Sequence, residues 1–393
     1  MNSRTQPDRM QEILGESMRD LARGDAAAAL RRLSSLAETR AREPMVQLHI
    51  ALAHKLRGDT SAEAAALEVA LTSDPYFYPA LLQKGTLLER LGQPRAAARV
   101  FRNVLKIMPE QDKRNPSLQR ALEHAEVAVH ANQQQLSDFL DRELGALRAA
   151  HASENLGRFD ESVQVMLGRK KAYVPEPVMF HFTQLPAIQF HDNALFPWIA
   201  ELEAATDRIR DEIVPVIAAS HHEFRPYINY PPGAPLNQWR ELDKSQRWST
   251  FFLWQNGARV DENCARCPAT ATLLEGLPLA GVPGFSPNVM FSCLDPRTHI
   301  PAHTGDTNTR LVVHLPLIVP PRCSFRVGNE TREWRYGKAW VFDDTIEHEA
   351  RNDSDELRVL LIFDVWNPLL TPGERELVAK LVNDVADFYQ ESG

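Results

Sequence analysis

Residues 303–317, HTGDTNTRLVVHLPL, join a polar turn to an apolar run. Arg310, Val312 and His314 occupy every second position of this run, so on an extended strand their side chains share one face. His303 precedes the run, and Gly305 stands where a common metal-binding motif carries a carboxylate. Residue type and spacing leave two interpretations open: an incomplete metal site, or a complete site of a different kind.

The segments around this stretch repeat its pattern of short apolar runs bounded by Gly, Pro, Asn and Asp. Such runs predict β-strands, here at 249–255, 288–294, 309–319, 323–328, 330–336, 338–343, 348–352 and 357–366. So many short strands in sequence are typical of a jelly roll or a small β-barrel. One amphipathic helix is predicted over 194–214, and a C-terminal helix after the N-cap Thr371, with Glu374 at the capping-box position.

The first part of the chain has a different pattern, with apolar residues at helical spacing and few prolines. Gly24, Gly58 and Gly92 recur at an interval of 34 residues, and Pro75 and Pro109 keep the same interval. A helix, a glycine turn, a second helix and a proline at this period are typical of tetratricopeptide repeats. Stacked helix pairs share a continuous apolar core. A generic helical bundle is the alternative.

Composition limits the classes of function. The formal net charge of -8 provides no basic field for nucleic acid or anionic lipid, so neither a nucleic acid nor a membrane is expected as a partner. No apolar run reaches the length of a membrane span, and the polar N-terminus does not resemble a secretory signal. We therefore expect a cytoplasmic protein.

The sequence CARC, at Cys264 to Cys267, lacks the second cysteine pair of a structural zinc site. Reduced thiols in a loop are predicted, because disulfides are rare in the cytoplasm. A redox or disulfide role is the alternative.

Three residues of the strand region point to chemistry. His303 precedes a predicted strand, His348 begins another, and Arg358 lies inside the apolar run 357–366. A buried arginine needs a partner, and its planar guanidinium suits a carboxylate. Together the three residues suggest a metal with an anionic co-substrate. Ordinary core or surface histidines and a structural ion pair would also explain them.

Residues 290–375 resemble the aspartyl/asparaginyl β-hydroxylase family of 2-oxoglutarate-dependent oxygenases. The resemblance rests on HTGDTNTRLVVHL, CSFRVGNETREWRYGK, FDDTIEHEARNDS and LRVLLIFDVWNPLLTPGER, with WSTFFLWQNG upstream. It implies an α+β multidomain chain: a tetratricopeptide-like solenoid over residues 1–172, then a double-stranded β-helix of jelly-roll or cupin-like type over residues 173–393.

The resemblance also implies roles for residues that match the family's iron and co-substrate site. His303 and His348 match two histidines that bind Fe(II). Arg358 matches the arginine that holds the distal carboxylate of 2-oxoglutarate, assisted by a hydroxyl at the position of Ser292. His314 matches a residue near the metal-proximal carboxylate. His303, His348 and Arg358 form the predicted catalytic set.

Further matches concern the substrate. Arg310 corresponds to an arginine that contacts the acidic side chain of the substrate, and Asp344 to a carboxylate near metal-bound water. Trp254 and Gln255 lie in a segment that borders the family's substrate groove. Animal members have a second arginine where this chain has Val312.

The implied reaction uses Fe(II), 2-oxoglutarate and O2 and releases succinate and CO2. It hydroxylates the β-carbon of an Asp- or Asn-like residue in a peptide or protein, and the helical repeats bind that substrate or a partner. Hydroxylation or halogenation of a free or carrier-bound amino acid is one alternative. A non-catalytic scaffold with an inactive barrel is another.

Overall fold

The computed structural model describes residues 6–390. The chain divides into two compact units, Met1–Lys170 and Lys171–Gly393. Within residues 6–390, no helix combines the length and the apolar character needed to cross a membrane.

The first unit is helical. Its helices within the described residues are α1 (Gln6–Ala22), α2 (Ala26–Thr39), α3 (Pro44–Arg57), α4 (Thr60–Ser73), α5 (Tyr78–Arg90), α6 (Pro94–Ile107), α7 (Glu110–Lys113), α8 (Gln119–Ala150) and α9 (Gly157–Met166). The three repeated glycines, Gly24, Gly58 and Gly92, lie in the turns that join α1 to α2, α3 to α4 and α5 to α6. Their φ angles are 82°, 74° and 71°, in the left-handed region that favours glycine. The sequence interval therefore coincides with a repeated helix–turn–helix unit.

Close packing explains two other positions of the repeat. Gly85 of α5 lies against the ring of Phe101 of α6, where a Cβ atom would collide with that ring. Glu63, which stands where repeats of this kind usually carry a small residue, is buried in α4 and forms an ion pair with Arg90 of α5. A buried charge is tolerated when it is paired. The helical character is confirmed, and the tetratricopeptide assignment stays a prediction.

The second unit is dominated by strands. They are β1 (Arg225–Pro226), β2 (Trp248–Gln255), β3 (Ala258–Arg259), β4 (Val289–Leu294), β5 (Thr298–His303), β6 (Arg310–Ile318), β7 (Cys323–Val327), β8 (Glu330–Glu333), β9 (Trp340–Phe342), β10 (His348–Asn352) and β11 (Arg358–Trp366). Its α-helices in the described range are α10 (Ile199–Ala204), α11 (Thr206–Ser220), α12 (Asp261–Arg266), α13 (Pro268–Glu275) and α14 (Pro372–Gln390).

The strands form two antiparallel sheets. The larger has the order β1-β2-β4-β11-β6-β9, with β3 also paired to β2, and the smaller has the order β5-β10-β7-β8. Successive strands from β4 to β11 alternate irregularly between the sheets, so neighbours within a sheet are distant in sequence. This arrangement confirms the jelly-roll part of the predicted fold.

Each face of the larger sheet has its own apolar core. One core packs α10, α11, α12 and α13 against the outer face, through residues such as Ile209, Ile213 and Phe363. The other lies between the two sheets and includes Phe325, Phe342 and Leu360. Alternation along each strand separates the two sets of side chains.

Three local predictions can be compared with the structure. The capping box of α14 is confirmed, since the Thr371 amide and hydroxyl donate to Glu374 at 2.8 and 2.9 Å. The single helix predicted over 194–214 is wrong, because α10 ends at Ala204 and α11 begins at Thr206. The Thr206 hydroxyl donates to the Glu203 carbonyl at 2.6 Å, which competes with the regular helical bonds.

The loop predicted for the CARC segment is also wrong. Cys264 lies in α12, and Cys267 immediately precedes α13. Both thiols are free and buried in the outer core, and burial raises the pKa of Cys267 to about 12. They therefore pack as small apolar groups.

Candidate functional site

A cavity of about 230 Å³ lies between the two sheets. Its walls include Ser292, Arg310, Val312, His314 and Arg358 from the larger sheet. The smaller sheet contributes Ile300, His303, Phe325, His348 and Ala350. The predicted alternation of Arg310, Val312 and His314 toward one pocket with His303 is confirmed.

The two predicted metal ligands are cross-strand neighbours. His303 ends β5 and His348 begins β10, and these residues are directly paired in the antiparallel ladder. Their ring centroids are 4.1 Å apart. From Ile300 to His303, β5 advances three residues while β10 retreats only two, from Ala350 to His348. This bulge turns both Ile300 and His303 toward the cavity.

The hydrogen bonds of the two rings fix which nitrogen faces outward. Nδ1 of His303 is 2.8 Å from the Pro301 carbonyl, and Nδ1 of His348 is 3.1 Å from the Ile346 carbonyl. A carbonyl can only accept, so each Nδ1 carries the proton and each Nε2 keeps its lone pair. Burial lowers the pKa of both rings, and for His348 the neighbouring His303 lowers it further. Both imidazoles are therefore neutral, the form that binds metals.

Only glycine fits at position 305 without a shift of its neighbours. A Cβ atom at this position would overlap the carboxylate of Asp344. The Gly305 amide also donates to the Asp344 backbone carbonyl at 2.7 Å. No side chain fits where a metal-binding carboxylate would branch from the chain. Within residues 6–390, no cluster of three or more His, Cys, Asp or Glu side chains is arranged to hold a metal.

Arg358 occupies another part of the same cavity. It is 1% exposed, and among the described residues no carboxylate pairs with it. Its Nη1 lies 3.4 Å from the Ser292 carbonyl and 3.5 Å from the Ser292 hydroxyl, and its Nε has no partner. Trp334 faces the guanidinium at 4.9 Å. Burial lowers the pKa of Arg358 to about 10, so the group is still a cation at neutral pH.

The surroundings of Arg358 match an anionic ligand. Ser292 accepts a hydrogen bond from the Trp248 indole at 3.1 Å, which leaves its own hydroxyl proton free to donate. Nδ1 of His314 accepts from the Trp334 indole at 3.3 Å, so the proton of this neutral ring lies on Nε2. Burial lowers the pKa of His314 well below its usual range. The part of the cavity around Arg358 thus holds a desolvated cation and two neutral donors, and among the described residues no carboxylate pairs with that cation.

Arg310 has a different environment, because three carboxylates surround it. Its Nη1 donates to Asp364 at 2.9 Å and lies 3.4 Å from Asp344, and its Nη2 lies 3.4 Å from Asp306. Burial alone would lower the pKa of Arg310, but these carboxylates raise it above its usual value. Burial raises the pKa of Asp344 to about 7, despite the nearby Arg310.

Two predicted substrate residues lie elsewhere. Trp254 packs in the outer core with Phe251 and Leu253, and Gln255 lines a separate surface depression. The reason is a bulge in β2 between Phe252 and Trp254, which turns Trp254 to the opposite face of the sheet. The assignment of Trp254 and Gln255 to the substrate site is therefore corrected.

Several residues that line the cavity were not predicted from the sequence. Trp239 approaches His303 edge-on at 4.9 Å, and Tyr227 stacks on Trp248 at 4.2 Å. Asp364 lies inside the apolar strand β11, and this placement was a usable signal of the same kind as that of Arg358. Asp306, just before β6, contacts Arg310.

The fold and cavity define a jelly-roll protein with a pair of neutral histidines and an unpaired buried arginine in one site. The family model described as aspartyl/asparaginyl beta-hydroxylase matches residues 203–368. The chain belongs to the aspartyl/asparaginyl β-hydroxylase family.

Two relatives illustrate the extent of the match. The human aspartyl/asparaginyl beta-hydroxylase is 41% identical over 145 residues, which are 36% of this chain and 19% of the human protein. The ornithine lipid ester-linked acyl 2-hydroxylase of Rhizobium tropici is 34% identical over 200 residues, which are 50% of this chain and 67% of that protein. The chain thus spans about a fifth of the length of the human relative.

Solved structures add little. A cupin domain of Schizosaccharomyces pombe Cnp3 matches 35% of this chain and 76% of its own chain at 9% identity, with a TM-score of 0.22. A cupin 2 barrel protein from Salinispora arenicola matches 39% of this chain and 98% of its own at 10% identity, with the same score. TM-scores this low carry no argument about the fold. The fold is defined by the strand pairing within this chain.

Proposed function

We propose that the protein is an Fe(II)- and 2-oxoglutarate-dependent dioxygenase that hydroxylates a methylene carbon next to a carbonyl group. The observation that carries this proposal is Arg358, a buried cation without a carboxylate partner in the cavity that holds His303 and His348. An unpaired buried charge is unfavourable unless a ligand completes it. A dicarboxylate would pair with the guanidinium through one carboxylate and bind the metal through the other.

The residues present fit these groups. His303 and His348 would hold the metal through Nε2, the nitrogen left free by the Nδ1 bonds to backbone carbonyls. Arg358 would bind the distal carboxylate with the Ser292 hydroxyl, and His314 would donate to the carboxylate nearer the metal. Bound together, Fe(II), 2-oxoglutarate and O2 supply the oxidising chemistry: one oxygen atom enters the substrate C–H bond, the other enters succinate, and CO2 is released. The protein orients the reactants and excludes water.

The preferred substrate is an Asp- or Asn-like residue of a peptide or protein, hydroxylated at its β-carbon. A second candidate is the 2-position of an ester-linked acyl chain, favoured by the larger share of the Rhizobium relative that the chain covers. The two reactions share their reacting group, because both the β-carbon of Asp or Asn and the 2-carbon of an acyl chain adjoin a carbonyl carbon. Arg310 would contact that carbonyl.

Halogenation and a non-catalytic scaffold role have less support. Halogenation needs chloride in the place of the missing carboxylate, but the carboxylate of Asp344 fills the space beside Gly305. Two negative groups there would repel each other. In an inactive scaffold, the unpaired buried charge of Arg358 would destabilise the fold without serving a function.

The first unit is assigned to recognition. Tetratricopeptide-like helix pairs commonly bind extended peptides, so we propose that this unit recruits a protein substrate or a partner. A cytoplasmic location is part of the same proposal.

Anaerobic titration with Fe(II) and 2-oxoglutarate tests the metal and co-substrate assignment. Wild-type protein should develop a visible metal-to-ligand charge-transfer band, and His348→Ala should lose both the band and succinate formation. His299→Ala is the matched control, because His299 lies on the same strand as His303 but pairs with Glu349 at 2.7 Å outside the cavity lining. A wild-type protein without the band, or a His348→Ala variant that keeps it, would contradict the assignment.

A further inference from the structure

The charge around Arg310 carries information about the substrate. One guanidinium faces the carboxylates of Asp306, Asp344 and Asp364, so the formal charge of this group is -2 when all three are ionised. With Asp344 protonated, the charge is -1. In either state the group is already negative before a substrate arrives.

The hydrogen-bond donors of Arg310 are largely occupied as well. Nη1 donates to Asp364 and lies beside Asp344, and Nη2 faces Asp306. Nε has no hydrogen-bond partner among the described residues, although the residue is only 8% exposed and lines the cavity. A buried donor without a partner is unfavourable and indicates a missing acceptor. No protein group among the described residues supplies that acceptor, so the N–H is available to a ligand atom in the cavity.

The surface beside the cavity adds no positive charge in its described lining. A surface groove adjoins the cavity and shares Ile228, Trp239, His303 and Asp306 with it. Its described lining adds Glu347, whose carboxylate pairs with Arg326 at 2.9 Å, and contains neither Lys nor Arg. The described part of this groove therefore supplies no cation that would favour a negative substrate over a neutral one.

We infer that the carbonyl beside the hydroxylated methylene is uncharged, an amide or an ester, and that Arg310 recognises it through the single N–H of Nε. This inference rests on the proposed function and narrows its substrate class. A substrate carboxylate would be a fourth negative group beside one guanidinium, whose two Nη groups already face three aspartates. A neutral carbonyl needs only one donor and adds no charge to a negative cluster. Asparaginyl amides and acyl esters are accepted, and aspartyl carboxylates and free acids are disfavoured.

Matched probes test the inference with the full chain loaded with Fe(II), 2-oxoglutarate and O2. The first pair consists of peptide pools with randomised flanks around a central Asn or a central Asp. The second pair is methyl octanoate and octanoate. Mass spectrometry counts the products that gain one oxygen atom, and succinate formation confirms coupling. The neutral member of a pair should react with a kcat/KM roughly tenfold or more above its charged counterpart, equivalent to about 1.4 kcal/mol.

Asp306→Asn examines whether the acidic cluster sets this preference. The side chain of Asp306 is 48% exposed, so the change removes a charge at the cavity mouth without opening the core. The ratio of charged to neutral turnover should rise by roughly tenfold. Asp384→Asn on α14 is the control, because it makes the same change in net charge at an exposed ion pair with Lys380. It should leave the ratio unchanged.

The outcomes separate this inference from the proposed function. Loss of the charge-transfer band in the wild-type protein rejects the function itself. With both ligands bound, equal or faster turnover of the charged members rejects the inference alone. Failure to oxygenate any neutral probe also rejects it, as does an Asp306→Asn variant in which both rates change by the same factor.

Discussion

Replacement of Arg358 by Met should stabilise the ligand-free protein and abolish its response to 2-oxoglutarate. The guanidinium is buried without a carboxylate partner, and burial lowers its pKa from 12.5 to about 10. At about 1.36 kcal/mol per pKa unit, the charged form is disfavoured by about 3 kcal/mol in the fold. The group is protonated in both folded and unfolded chains below pH 10, so the whole penalty is present at pH 7. It is relieved only as the pH rises through the folded pKa.

The variant keeps a side chain of similar length, so most packing against Trp334 and Ser292 remains. Replacing a buried charge with an apolar group of similar volume is often neutral or stabilising by about 1–4 kcal/mol. We therefore expect the free energy of unfolding to rise by about 1–3 kcal/mol. The contact with Trp334 offsets part of the penalty, which explains the lower end of this range.

Urea unfolding followed by tryptophan fluorescence measures this change. All seven tryptophans lie between residues 198 and 366, so the signal reports on the second unit. With Mn(II) in place of iron, saturating 2-oxoglutarate at about 100 times its Kd should stabilise the wild type by about 2.7 kcal/mol, and should not stabilise Arg358→Met. Arg358→Lys is the control, because it keeps the buried charge and should show no gain in ligand-free stability. A loss of several kcal/mol in Arg358→Met, or a preserved response to 2-oxoglutarate, would refute the reasoning.

Three more predictions concern stability. Gly305→Ala should destabilise the protein by about 2 kcal/mol because its Cβ overlaps the Asp344 carboxylate, and the loss should shrink in Gly305→Ala/Asp344→Ala if that overlap is the cause. Arg90→Ala should lower the free energy of unfolding by about 3 kcal/mol, because it leaves the buried Glu63 carboxylate without its partner. Adding Glu63→Ala should restore most of this loss. Thermal or urea unfolding followed by circular dichroism measures both changes. Burial lowers the pKa of His191 to about 4, so acidification from pH 6.5 to pH 4 should destabilise the wild type by about 3 kcal/mol more than His191→Met. Parallel pH curves for these two proteins would contradict the last prediction.

The direction of the His191 effect follows from proton binding. The unfolded chain takes up the proton near pH 6.5, whereas the folded chain resists it until about pH 4. Stability is therefore complete above pH 6.5 and falls as the pH approaches the folded pKa. Among the described residues neither ring nitrogen has a hydrogen-bond partner, so no contact there stabilises the protonated form.

The strands that carry the site could be predicted because their side chains alternate strictly. In β6, Arg310 and His314 are separated by even intervals from buried Val312, so the pattern alone indicated a shared face. Arg358 could be recognised because a charge inside an apolar strand is rare. Asp364 is also a charged residue inside the apolar strand β11. Its role as an ion-pair partner is visible only in the fold, which places Arg310 beside it.

Features that depend on irregular pairing could not be predicted. Strand β5 was not predicted, and Pro301 lies inside it because β5 is an edge strand of the smaller sheet, where a missing N–H is tolerated. Trp254, expected to border the substrate groove, packs in the outer core because a bulge shifts the alternation of β2 by one residue. Bulges are determined by pairing with distant strands, so a single sequence contains little trace of them.

The two sheets carry separate parts of the proposed site. Both histidines belong to the smaller sheet, while Arg358, Ser292, His314 and Arg310 belong to the larger one. Substitutions on the larger sheet can therefore alter which anion or substrate is accepted without disturbing the cross-strand histidine pair. In evolution, one half of such a site can stay constant while the other is exchanged. The proposed metal-binding pair and the residues proposed to select the substrate can therefore change independently.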